Sequence, residues 1–350
     1  MNPISVIMPQ DGDVNTAPTY LFDHSDLYKQ DPHEAALAWF REASYGLGIH
    51  YGLYSLIGKG ERALMAGVLT EDEYHKLPKL LKANHFDAND IVEFAIANGM
   101  RYINFSVRNV DGFSLYNTSM TDYNCVNTPA HRDLLGELAS VCEYHGLGLC
   151  LHYSLGEDWH HAKGPRKDRE GSKEDVEEYR EYIMGQLREL LTQYGPIAAI
   201  CFEGIEGVLR HAESKAFDCE DLYHYVRHLQ SQTLVAFEQG LHGSEDFFTC
   251  VKEIPAEDSP NEMQGFIHKQ ANKTLEIRLS LTPGSWGYHA ESAGRHAREE
   301  AVWEQLRYAQ RAKSNLLINT ALMPDGSLDA EDINTLLEVG RRIESSGYPR

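Results

Sequence analysis

The stretch Ile197-Ala198-Ala199-Ile200-Cys201-Phe202-Glu203-Gly204 decides the fold class. An unbroken apolar run of this length, without polar alternation, fits a strand covered on both faces, as in a parallel sheet wrapped by helices. It ends in a carboxylate and a glycine, so an ionisable group stands where the chain leaves the sheet. Similar runs occur at residues 46–50, 102–107, 148–154, 234–237, 247–252, 275–281 and 316–320. Helical patterns separate most of them. In residues 130–145 the apolar set Leu134, Leu135, Leu138, Val141 and Cys142 recurs with helical spacing and stops at Gly146. Residues 87–98, 176–194, 297–312 and 331–343 read the same way.

Eight strands separated mainly by helices predict an α/β fold, a (β/α)8 TIM-like barrel in a single domain. A doubly wound open sheet is the competing architecture. The weakest strands are 234–237 and 247–252, because little helix lies between them. Residues 35–350 form the expected catalytic barrel, and residues 1–34 an N-terminal arm of unknown role.

The 350 residues are 42% hydrophobic and 24% charged, with a formal charge of −21. That acidity argues against nucleic acid and anionic membranes as partners, since both require clustered cations. No run approaches the roughly 18 apolar residues of a membrane helix. The six cysteines have no C-x-x-C spacing, and the start of the chain has no apolar signal segment, so reduced thiols in a cytoplasmic protein are expected. Oligomeric state is left open, a homo-oligomer included.

In a barrel, chemistry gathers at the C-terminal ends of the strands. Those ends carry His50, Arg108, Asn109, Asp111, His152, Tyr153, Glu203, Glu238, Lys252, Glu253, Glu276, Arg278 and Asn319. Glu203, on a rigid strand end beside a glycine turn, suits a nucleophile or base. With Glu276 as partner it would supply the two carboxyl groups of glycoside hydrolysis, although barrels use carboxylates for many reactions. Asp158-Trp159-His160-His161 is a poor metal cluster, because neighbouring side chains diverge. Asp11, Asp13 and Asn15 lack the glycine and glutamate of a calcium loop, and Gly58-Lys59-Gly60 lacks phosphate-loop spacing. No metal or cofactor is expected.

Several segments together resemble the alpha-L-fucosidases of glycoside hydrolase family twenty-nine. They include Trp39-Phe40-Arg41-Glu42-Ala43, Gly46-Leu47-Gly48-Ile49-His50-Tyr51-Gly52, Asp111-Gly112-Phe113 and Asn127-Thr128-Pro129 with Arg132-Asp133. His152-Tyr153-Ser154, Asp158-Trp159-His160, Tyr194-Gly195-Pro196, Ser285-Trp286-Gly287-Tyr288 and Asn315-Leu316-Leu317-Ile318-Asn319 continue the match in collinear order, over about residues 37 to 345. The resemblance implies a (β/α)8-like catalytic domain, here without the C-terminal β-sandwich of many members. It also implies a retaining exo-glycosidase that acts on a terminal alpha-L-fucoside through a covalent glycosyl-enzyme intermediate. By position it makes Glu203 the nucleophile and Glu276 the acid/base, with His50 and Tyr153 binding the sugar.

The sequence departs from the family inside the pocket. Glu203 replaces an aspartate, which moves the carboxylate by roughly 1.5 Å. Asn109 and Val110 replace two histidines, Arg62 replaces a tryptophan, and Glu238 stands where an arginine is expected. One reading keeps the enzyme, with His50, Arg62, Arg108, Asn109, Tyr153, Glu238 and Trp286 holding fucose or a related, more polar carbohydrate. The other is an inactive barrel that binds glycan or serves a structural or regulatory role. An alternative alignment gives the catalytic work to Glu206 or Glu253.

Overall fold

The computed structural model describes residues 16–166, 168–169, 171–204, 217–238, 240, 243–251 and 272–349. Its eight strands are β1 Tyr45–His50, β2 Tyr102–Arg108, β3 Gly148–Ser154, β4 Ala199–Glu203, β5 Leu234–Phe237, β6 Phe247–Val251, β7 Thr274–Ser280 and β8 Asn315–Ala321. They form one sheet in the order β5-β4-β3-β2-β1-β8-β7-β6, parallel in every ladder. Because β1 lies beside both β2 and β8, the sheet curls into a barrel, and the doubly wound alternative is excluded. At the seam, Asp246 N–H donates to Val235 O at 2.8 Å and Thr249 N–H to Glu238 O at 2.7 Å. All eight strands expected from the sequence are present, the short fifth and sixth included.

The longer helices are α1 Pro32–Ala43, α2 Ala88–Ala97, α3 Leu134–His145, α4 Lys173–Gln193, α5 Cys219–Leu229, α6 Glu299–Arg311 and α7 Ala330–Ser346. Local chemistry sets their ends. Asp31, Asp87, Asp133, Asp218 and Asp329 cap helix N-termini with their carboxylates, and Ser172 with Asp175 forms a capping box on α4. Gly146, with φ +67°, closes α3 in the left-handed conformation that glycine adopts without strain.

The apolar residues divide into two layers. The larger lies between the outward faces of the strands and the helices, with Ile49, Phe105, Leu151, Ile200 and Ile318 among its buried members. The smaller fills the lower barrel: Tyr102, Cys150, Ala199, Cys201, Leu234, Phe247 and Leu317 meet Trp39 and Phe40 of α1, which plug the N-terminal end. Phe40 and Phe247 have ring centroids 4.2 Å apart. Tyr20 and Leu21, in the segment read as an arm, are buried in this same cluster. On β1, a Cβ at Gly46 would come 2.4 Å from the Tyr102 ring, so glycine is required where that ring crosses the barrel. The bottom is thus packed shut while the C-terminal end stays open for a site.

Candidate active site

A cavity of about 320 Å³ opens at the C-terminal ends of the strands. Its lining includes His50, Glu61, Arg62, Asn109, Val110, His152, Glu203, Glu238, Arg278, Trp286 and Asn319. Glu203 is the last residue of β4, as its sequence implies. Its backbone carbonyl accepts from the N–H groups of Leu155 and Gly156, at 3.1 and 3.0 Å. Gly204 follows with φ +89°, and a Cβ there would lie 2.8 Å from Gly156 Cα, so only glycine makes this turn.

One carboxylate oxygen of Glu203, Oε2, lies 2.9 Å from His152 Nε2, while Oε1 has no hydrogen-bond partner among the described residues. Burial alone would raise the Glu203 pKa. The charge and hydrogen bond of His152, with His50 and Arg62 nearby, outweigh that and hold it at about 2. Glu203 is therefore an ionised carboxylate with one uncommitted oxygen. His50 Nδ1 lies 2.6 Å from Asn319 Oδ1, and Asn319 Nδ2 donates to Ser280 Oγ and to the Trp286 carbonyl. Burial and the neighbouring His152 lower the His50 pKa to about 4, so at neutral pH this ring is uncharged. Donation from Nδ1 to Asn319 then leaves Nε2 as an acceptor.

Glu61, which the sequence did not single out, anchors the opposite rim. Its Oε2 accepts from Trp286 N–H and Gly287 N–H, each at 2.9 Å, and from Ser285 Oγ at 3.0 Å. The indole of Trp286 stands 5.6 Å from the His50 ring, centroid to centroid. Arg62 extends over the entrance with its side chain 72% exposed. Glu238 sits at φ +43° after β5, and its Oε1 accepts from Gly204 N–H at 2.6 Å, next to Glu203 in the chain.

Three residues assigned to the site from sequence do not line this cavity. Glu276 is 1% exposed inside the barrel; its Oε1 accepts from Arg278 Nε at 2.7 Å and its Oε2 from Tyr102 Oη at 2.8 Å. The expected pairing of Glu203 and Glu276 across one hollow is therefore not formed. Arg108 is fully buried, bound to Asp158, Tyr179 Oη and the Ser154 carbonyl, behind the site wall. Tyr153 is also fully buried on the helix side, where its hydroxyl donates to Gln186. The Asp158–His161 segment diverges as expected: Asp158 pairs with Arg108, His160 stacks on Tyr123 at 3.9 Å, and His161 packs on Tyr182. Glu206, Lys252 and Glu253 lie outside the described residues.

The structure brings His50, Arg62, Asn109, His152, Glu203, Glu238, Arg278, Trp286 and Asn319 together and adds Glu61, Asn104 and Thr249. For His152 and Asn319 the signal was a polar residue near the end of an apolar strand. Glu61 comes from a loop, and no local pattern in the chain marks it.

The alpha-L-fucosidase family profile matches residues 17–348. Alpha-L-fucosidase 1 of Arabidopsis thaliana is 25% identical over 279 residues, covering 75% of this chain and 52% of its own. The chain spans little more than half the length of the plant relatives it matches. Among solved structures, alpha-L-fucosidase isoenzyme 1 from Paenibacillus thiaminolyticus superposes with a TM-score of 0.75 at 26% identity, covering 90% of this chain and 77% of that one. The alpha-L-fucosidase AlfC from Lactobacillus casei, solved with its alpha-L-fucose product, gives a TM-score of 0.71 at 25% identity, covering 89% of this chain and 99% of AlfC. By the profile match over nearly its whole length, this chain belongs to the alpha-L-fucosidase family.

Proposed function

We propose that the chain is a retaining exo-glycosidase that hydrolyses a terminal alpha-L-fucoside or a closely related sugar. The observation that carries this reading is Glu203: an ionised carboxylate with an uncommitted Oε1, facing a closed-bottomed cavity of monosaccharide scale. In the first step Oε1 attacks the anomeric carbon, the bond to the leaving oxygen breaks, and that oxygen takes a proton from a carboxylic acid. In the second step the resulting carboxylate removes a proton from water. The water oxygen bonds to the anomeric carbon, and Glu203 departs as carboxylate. Glu276 is shielded from this chemistry by Arg278 and Tyr102. We assign the proton donor to a glutamate on the β5–β6 side, where Glu238 lines the cavity and Glu253 follows β6 in the sequence.

Aryl glycosides of L-fucose, L-galactose, and uronic and sulfated analogues test the reading, with Glu203→Gln alongside. The expected result is turnover of the alpha-L-fucoside or a relative, with retained configuration, abolished by Glu203→Gln. A folded protein that turns over none of them overturns the reading and leaves an inactive barrel.

A further inference from the structure

The base of the cavity holds polar groups that the reaction above does not use. Gly48 contributes no side chain on β1, and a Cβ there would already lie 3.2 Å from Asn319. The space left open continues down to Asn104, Thr249, Arg278 and Leu317, which line the same cavity. Asn104 Nδ2 donates to Cys201 Sγ at 3.4 Å, and the Arg278 guanidinium also lies against Cys201. Cys201 is two residues before Glu203 on the same face of β4, about 6.6 Å further down the strand. Two buried polar atoms in this group have no hydrogen-bond partner among the described residues: Arg278 Nη2, a donor on a residue 8% exposed, and Asn104 Oδ1, an acceptor on a residue 3% exposed.

Buried polar groups are costly to leave unpaired, so a donor and an acceptor lining one floor call for a partner that can accept from one and donate to the other. A hydroxyl does both. A carboxylate would satisfy Arg278 but oppose Asn104 Oδ1, and Glu276 already neutralises Arg278. A methyl would satisfy neither. His50, Glu61, Asn109 and Asn319 also line the cavity and can bind hydroxyls of a sugar ring. A group projecting from that ring would reach the floor.

We propose that Asn104 and Arg278 form a specificity subsite for the exocyclic hydroxymethyl group of the glycone, selecting an L-galactose-type sugar over its 6-deoxy counterpart, L-fucose. This rests on the glycosidase reading and names the substrate of that same site. The two sugars differ only in the C6 hydroxyl, so titration calorimetry of the full chain with free L-galactose and free L-fucose isolates it. The expected result is L-galactose binding about tenfold or more tightly, the effect of one hydrogen bond to a charged donor. Asn104→Leu, close in volume, brings that ratio toward one. L-fucose binding as tightly as L-galactose to the unaltered protein overturns the subsite while leaving the glycosidase reading intact. If neither sugar binds and no aryl glycoside is cleaved, both fall.

Discussion

Arg278 follows Glu276 by two residues on the same face of β7, and its Nε donates to Glu276 Oε1 at 2.7 Å inside the barrel. The pair holds the arginine at the cavity floor and keeps the glutamate beneath it. The prediction is that Glu276→Gln acts on folding. With its partner neutralised, Arg278 becomes an uncompensated buried charge, at a cost of about 3–5 kcal/mol. Denaturant unfolding measures it. In whatever protein folds, the ratio of kcat/KM between good and poor leaving groups stays as in the parent. A selective loss on poor leaving groups, restored by azide, would return the acid/base role to Glu276.

Glu203 carries the opposite expectation. Glu203→Gln leaves the fold intact and lowers kcat by about 10⁴-fold or more. Glu203→Asp restores the residue type that the resemblance places there but draws the carboxylate back from a cavity shaped for the longer side chain. Misplacement by about 1 Å is expected to cost on the order of 100-fold in kcat. A gain in turnover from Glu203→Asp would mean that the longer residue is a lesion.

The pH dependence of stability follows from His50. Its pKa is lowered by burial and by His152 to about 4, against 6.5 for an unhindered histidine. Between those values the unfolded chain binds a proton that the folded protein refuses, so stability falls as pH falls from about 6.5 toward 4. Glu203, held at about 2, stays ionised across that window. Urea titrations at pH 7 and pH 4.5 should show the decline, and His50→Gln should flatten part of it. An unchanged slope in the variant would place the effect elsewhere.

Arg108 and Asp158 form a buried ion pair, with side chains 0% and 1% exposed. Arg108→Met strands Asp158 and is expected to destabilise the fold by about 3–5 kcal/mol. Arg108→Met combined with Asp158→Asn recovers much of that loss, since no unpaired charge remains. KM for a cleaved aryl glycoside stays near the parent value in the folded fraction. A large rise in KM without loss of stability would restore Arg108 as a sugar ligand.

Glu61 holds the Trp286 turn through three donors on one oxygen. Glu61→Ala frees that turn, and KM is expected to rise about tenfold or more, from loss of hydrogen bonds to a charged group. Tryptophan fluorescence quenching by acrylamide increases in parallel. Unchanged quenching would show that Trp286 is fixed by other contacts.

The sequence by itself determined an α/β fold of eight strands and favoured the barrel over an open sheet. Eight apolar runs with helices between most of them leave few other ways to cover strands on both faces, and Glu203, last in its run, had to stand at the rim. Glu276 was read among the strand-end residues, but it lies near the start of its strand, below the end where functional groups gather. Only the tertiary structure decided which carboxylates share a cavity. A strand's two-residue period fixes the face on which a side chain stands, but its depth depends on how the strands are staggered around the barrel. That stagger puts Glu276 in the packed interior with Tyr102 and opens the floor at Gly48. It also lets a loop residue, Glu61, reach the Trp286 turn across 225 residues of chain. No local pattern encodes such a contact, because it exists only once the barrel has closed.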